Sequence, residues 1–105
     1  MNLKELGANL GLEEDEFREL VELFLETGRA NFEQLQAALE TGDAGSASRN
    51  AHTLCGAAGN LGIMTIYEVA KRIELDALDN HLDGVSTDIQ TLSELFDEVA
   101  QGLRP

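Results

Sequence analysis

Tryptophan is absent, aromatic residues make up only 5% of the 105 residues, and there is one cysteine and one proline. The single proline is Pro105, so no helix interior is broken by an imino acid. The lone Cys55 excludes an internal disulfide and, with it, a disulfide-stapled secreted scaffold. Scarce aromatics leave Leu, Ile, Val and Ala to fill the core, as in helix bundles. Positive charge is also scarce: 7 Lys and Arg face 20 Asp and Glu, a formal net charge of -13. A surface of that sign repels phosphate backbones and anionic lipid heads, which argues against nucleic-acid and membrane-surface binding. No apolar run approaches a membrane span, and "MNLKELGANLGLEEDE" lacks the apolar segment of a signal peptide. A cytoplasmic, monomeric, single domain over residues 1–105 is expected. Met1 and the lack of linker-like stretches suggest a free-standing chain.

What is present is helical periodicity. No sustained period-2 run of β-branched residues marks a strand. Leu3, Leu6 and Leu10 are spaced for a short helix that would lid a bundle end, closed by Gly11. Acids at Glu13, Glu14, Asp15 and Glu16 suit the positive end of a helix dipole. Phe17, Leu20, Val21, Phe24, Leu25, Phe32, Leu35 and Leu39 then hold one face for about seven turns. Gly28 interrupts that stripe, either for a close helix contact or for a bend. In "TGDAG", Gly42 is placed to end one helix and Asp43 to cap the next. A third helix runs from about Ala44 to Asn60, with Gly62 as its stop. Ile63, Ile66, Val69, Ala70, Ile73 and Ala77 mark a fourth. After the loop "DNHLDG", Val85, Ile89, Leu92, Leu95, Phe96, Val99 and Leu103 mark a last one. The expected fold is all-α: an antiparallel four-helix bundle with a short additional N-terminal helix.

The third helix carries the functional signal. On a helical wheel, Ala47, Ala51, Leu54, Ala58 and Leu61 form its core stripe, and His52 lies well away from it, towards water. Within about 60° of His52 fall Gly45, Ser48, Arg49, Cys55, Gly56, Gly59 and Ile63. Gly56 and Gly59 each cost about 1 kcal/mol of helix propensity where Lys or Glu would serve a solvated face better. The pair is therefore read as keeping space around the imidazole. From Ala44 to Tyr67 there is no carboxylate, in a chain with 20 of them, and Arg49 is the one formal charge. Such a surface suits an added anion or a partner's carboxylates. An exposed imidazole with pKa near 6.5 is mostly neutral at pH 7, hence a nucleophile able to form a phosphoramidate. Nothing adjacent in sequence completes a catalytic apparatus. His81, in the loop, reads as solvated.

Cys55, one turn after His52, is read as a small, partly buried filler. A Cys–His nucleophile pair lacks a third orienting group, and the thiol is well inside its helix. A zinc site lacks ligands: His52 and Cys55 supply two where four, or three plus water, are needed, so no metal is assigned.

"AHTLCGAAGNLG", Ala51 to Gly62, resembles the signature of histidine-containing phosphotransfer (HPt) domains of multistep two-component phosphorelays. His52, Leu54, Gly56, Gly59, Asn60, Leu61 and Gly62 carry the match, and "NLGLEEDEFRELVELFLE" is similar to the family's entry into its second helix. The resemblance implies a bundle with His52 on its outer face. It implies that His52 Nε2 accepts phosphoryl from a receiver-domain aspartyl phosphate and passes it to another receiver aspartate. The chain would be a phosphoprotein and covalent carrier, not an enzyme and without a cofactor of its own; the receiver would supply catalytic acids, Lys and Mg²⁺. The family usually has Lys where this chain has Cys55, and Arg49, on the same face one turn earlier, is the expected substitute.

Expected partners are receiver domains of a hybrid histidine kinase or a response regulator, bound transiently. Counting back from Gly42 puts His52 level with Phe32, so Arg29, Phe32, Glu33 and Gln36 are candidate docking residues, with Ile63 as an apolar contact. Ser48, Cys55, Gly56 and Gly59 surround the site. The alternative is a scaffold or inhibitor of the same shape that binds a receiver or kinase without being phosphorylated.

Overall fold

The computed structural model describes residues 2–103. Five helices follow in order: α1 (Leu3–Asn9), α2 (Glu14–Thr41), α3 (Ala44–Leu61), α4 (Met64–Leu78) and α5 (Val85–Gly102). No strand occurs among the described residues. α3 packs between α2 and α4, α5 closes the bundle against α4 and α2, and α1 lies on α2. No described helix is long and apolar enough to cross a membrane.

The helix ends are set by local chemistry. At the start of α2, Glu16 Oε1 accepts the Glu13 backbone N–H at 3.0 Å, reaching back across the first turn. Gly42 takes a left-handed φ of 73° and sends the chain from α2 into α3. Asp43 Oδ1 then accepts the Ser46 N–H at 3.0 Å as the cap of α3. α3 ends in the same way at Gly62, φ 76°. These tight links make α2, α3 and α4 successive antiparallel neighbours.

The core follows the apolar stripes. Ala47, Ala51, Leu54 and Ala58 of α3 are fully buried, as are Ile66, Ala70 and Ile73 of α4. Phe96 of α5 stacks on Phe24 of α2, with ring centroids 5.8 Å apart, and tilts against Phe32 at 5.7 Å. Gly28 makes a close helix contact rather than a bend: a Cβ there would stand 3.0 Å from the Phe96 ring and 3.5 Å from Leu54. Three residues depart from the expected stripes. Leu10 and Leu20 are exposed: Leu10 lies at the C-cap of α1, and Leu20 lines an open groove between α2 and α3. Cys55 is buried rather than partly buried, since its side of α3 is roofed by α4.

Candidate functional site

His52 sits in the middle of α3 with its imidazole in water: 73% of the side chain is exposed. Its ring is nevertheless oriented. Nδ1 lies 2.7 Å from Oε2 of Glu74 on α4. The Glu74 side chain is only 9% exposed, and Glu74 is the one buried charged residue among the described residues. Its other oxygen, Oε1, accepts from Lys71 Nζ at 3.3 Å. One carboxylate thus bridges an imidazole and an ammonium across the α3–α4 seam.

The bridge fixes the tautomer. An ionised carboxylate only accepts hydrogen bonds, so Nδ1 carries the ring proton and donates it to Glu74. Nε2 is left with its lone pair on the exposed edge of the ring. This is the arrangement a nucleophilic imidazole needs, and one that an isolated surface histidine does not hold.

The remaining charges follow from the same geometry. The hydrogen bond to Glu74, reinforced by its charge, holds Lys71 above the usual lysine range. Burial pushes the Cys55 thiol up, opposed by the Lys71 charge and aided by that of Glu74. Cys55 is therefore a protonated, packed side chain, not a thiolate nucleophile. Among the described residues no group of three or more His, Cys, Asp or Glu side chains gathers to hold a metal.

The two glycines near His52 separate. A Cβ on Gly56 would meet nothing within 4 Å, so that position is open to solvent beside the imidazole. A Cβ on the exposed Gly59 would stand 3.2 Å from the Tyr67 ring, so Gly59 makes room for an α4 side chain. Ser48 is half-buried on the same side of α3. The exposed Arg49 lies back along its helix, with Nη1 3.4 Å from where a Cβ of Gly45 would be. His81 is exposed in the loop between α4 and α5.

Of the docking residues named from the sequence, Ile63 needs correction. Ile63 is 3% exposed and caps α4 from inside the core, so it offers no surface contact. α3 has ended by then, and a wheel extended past Gly62 misplaces it. Arg29 pairs with Asp97 of α5 at 3.5 Å and lies over the Phe96 ring. Phe32 packs on that ring, and Gln36 lines the α2–α5 seam with Ser86 and Ile89. Glu33 is exposed. Leu20, Leu23, Phe24 and Thr27 of α2 share a groove with Ala57, Asn60 and Leu61 of α3.

Comparisons with known proteins agree with this geometry. The profile of the Hpt domain family matches residues 19–102. The crystal structure of histidine-containing phosphotransfer protein B (HptB) from Pseudomonas aeruginosa PAO1 superposes with a TM-score of 0.85 at 24% identity, covering 98% of this chain and 90% of that one. That likeness establishes the shared fold. No curated protein sequence matches the chain. A bundle of this shape, with the family profile spanning most of its length, belongs to the Hpt domain family, histidine phosphotransfer proteins that carry phosphoryl groups in signalling rather than catalyse a reaction.

Proposed function

We propose that the chain is a phosphorelay intermediate, phosphorylated on His52 Nε2 by a receiver-domain aspartyl phosphate and dephosphorylated by a second receiver aspartate. The observation that carries this reading is the pairing of a 73% exposed imidazole with a nearly buried carboxylate on Nδ1. In the forward step the Nε2 lone pair attacks phosphorus. The P–O bond to the receiver aspartate breaks, and its electrons remain on the departing carboxylate. The ring becomes a phospho-imidazolium whose Nδ1–H points at Glu74, so the new positive charge forms against a fixed negative one. The second receiver reverses the step: its carboxylate attacks, the N–P bond breaks, and neutral imidazole is returned in the same tautomer.

Hpt domains interact with receiver domains of kinases and response regulators. Here the receiver supplies the acids, the Lys and the Mg²⁺; this chain supplies a presented nucleophile on a helix without carboxylates. Open space at Gly56 and the absence of carboxylates from Ala44 to Tyr67 suit a partner whose active site is itself acidic. Exposed Leu20 and Leu23, beside the α3 face, give that partner an apolar contact.

The test is transfer from a phosphorylated receiver domain in Mg²⁺, screened over a panel of receivers. An acid-labile, base-stable label that appears on the chain and is lost in His52→Gln with binding retained supports the carrier. Binding to receivers without any label overturns it in favour of a scaffold or inhibitor.

A further inference from the structure

Phosphorylation of His52 adds negative charge to a ring whose other side already faces the carboxylate of Glu74. A phosphoryl group brings close to two negative charges. It would arrive on a ring already held against a carboxylate that is only 9% exposed. α3 offers Arg49 alone as a formal charge, and its guanidinium is drawn back towards Gly45. Across the seam, Lys71 has the opposite disposition. Its ammonium is bound to the same carboxylate that orients His52, yet 43% of its side chain is exposed, so it can turn towards a new anion without being pulled from a core.

Resting on the carrier reading above, we propose that Lys71 of α4 is the cation of the phosphoryl site, positioned by Glu74 in the resting chain and shared with the phosphoryl group once Nε2 is modified. Three features support it. The ammonium reaches Glu74 Oε1 at 3.3 Å while Oε2 holds His52 at 2.7 Å, so imidazole and ammonium flank one carboxylate. The Lys71 charge extends across the seam to Cys55, one turn from His52 on α3. The partner it would leave behind, Glu74, keeps a cation, because the phosphorylated ring is an imidazolium. The exchange therefore strands no buried charge, which is the usual cost of breaking such a pair. Lys71 is a positioning and charge-balancing residue; bond making belongs to Nε2.

The experiment uses potassium phosphoramidate, a small donor that needs no protein partner, with ³¹P NMR to follow the label on the intact chain. Wild type, Lys71→Met, Lys71→Arg, Arg49→Ala and the blank His52→Gln are compared after circular dichroism shows that each is folded. The expected result is a roughly three- to tenfold slower acceptance in Lys71→Met, on the scale of a half-exposed ion pair acting on a multiply charged group. The ³¹P titration of the bound phosphoryl group should also move to higher pH in Lys71→Met, and Lys71→Arg should restore both. A purely structural role would leave that titration unmoved. Wild-type rate and titration in Lys71→Met overturn the proposal, as does a larger effect in Arg49→Ala. Failure of wild type to label at His52 overturns the carrier reading itself, and this inference with it.

Discussion

Glu74 Oε2 lies 2.7 Å from His52 Nδ1, although the two residues are 22 positions apart and on different helices. This one contact turns an exposed histidine into an oriented one. It assigns the proton to Nδ1, directs the lone pair of Nε2 outward, and would provide the countercharge for the imidazolium that the proposed phosphorylation forms.

Removing the carboxylate should release the ring. In Glu74→Ala the Nδ1–H tautomer loses its acceptor, and Nε2 is protonated in a larger share of molecules. A hydrogen bond to a charged group is worth about 1.5–3 kcal/mol, so acceptance of phosphoryl should fall roughly ten- to a hundredfold. Long-range ¹H–¹⁵N spectra of the imidazole read the tautomer directly, and its shift should accompany the rate loss.

Gly56 and Gly59 should respond differently to the same change. Gly56→Ala adds a methyl group into open space and gains about 1 kcal/mol of helix propensity, so thermal unfolding should move up by a few degrees. In Gly59→Ala the new Cβ stands 3.2 Å from Tyr67, and the packing strain offsets that gain. Gly56→Leu should keep the fold and block transfer from a receiver while leaving phosphoramidate labelling intact.

The bundle depends on the contact at Gly28. A Cβ 3.0 Å from Phe96 Cε1 forces α2 and α5 apart or the ring off its rotamer, so Gly28→Ala should destabilise by about 1 kcal/mol net of helix propensity. Phe96→Ala leaves Phe24 and Phe32 without their partner and should cost about 3–5 kcal/mol. Urea unfolding measures both.

Alkaline pH should weaken the fold in a defined order. The Cys55 thiol is raised by burial, so the native state holds its proton more tightly than the unfolded chain does. Stability is full below the ordinary thiol value, about 8.5, and declines as pH rises past it. Lys71 is raised by its hydrogen bond to Glu74, and its contribution is full below about 10.4 and lost above. In Cys55→Ala the first decline should vanish and the second remain. Iodoacetamide should also modify native Cys55 far more slowly than a free thiol at pH 8.

Much of this architecture was legible in the sequence. Gly42, Asp43 and Gly62 mark their helix ends because a left-handed residue and a side-chain cap have few substitutes. The α3 stripe is clear because Ala47, Ala51, Leu54 and Ala58 repeat at helical steps. His52 stands out for the same reason, as the exception to that stripe. Glu74 was missed because its partner lies across a seam that periodicity within one helix does not describe. A signal did exist: Glu74 falls between Ala70 and Ala77 on the buried stripe of α4, where a carboxylate needs a partner. Ile63 is buried because α3 ends at Leu61, so a wheel continued past Gly62 places it on the wrong face. The contact of Phe32 with Phe96 depends on how α5 packs, which counting along α2 does not give. The closeness of Tyr67 to Gly59 was not legible either, because it depends on how α4 packs on α3.

The central claim is that Nε2 of His52 is the presented nucleophile. It is tested most directly by ³¹P–¹⁵N coupling in ¹⁵N-labelled chain phosphorylated with phosphoramidate. One phosphorus atom is expected, coupled to Nε2 of His52, with Nδ1 still protonated. Phosphorus on Nδ1, on His81, or on no histidine at all would contradict it.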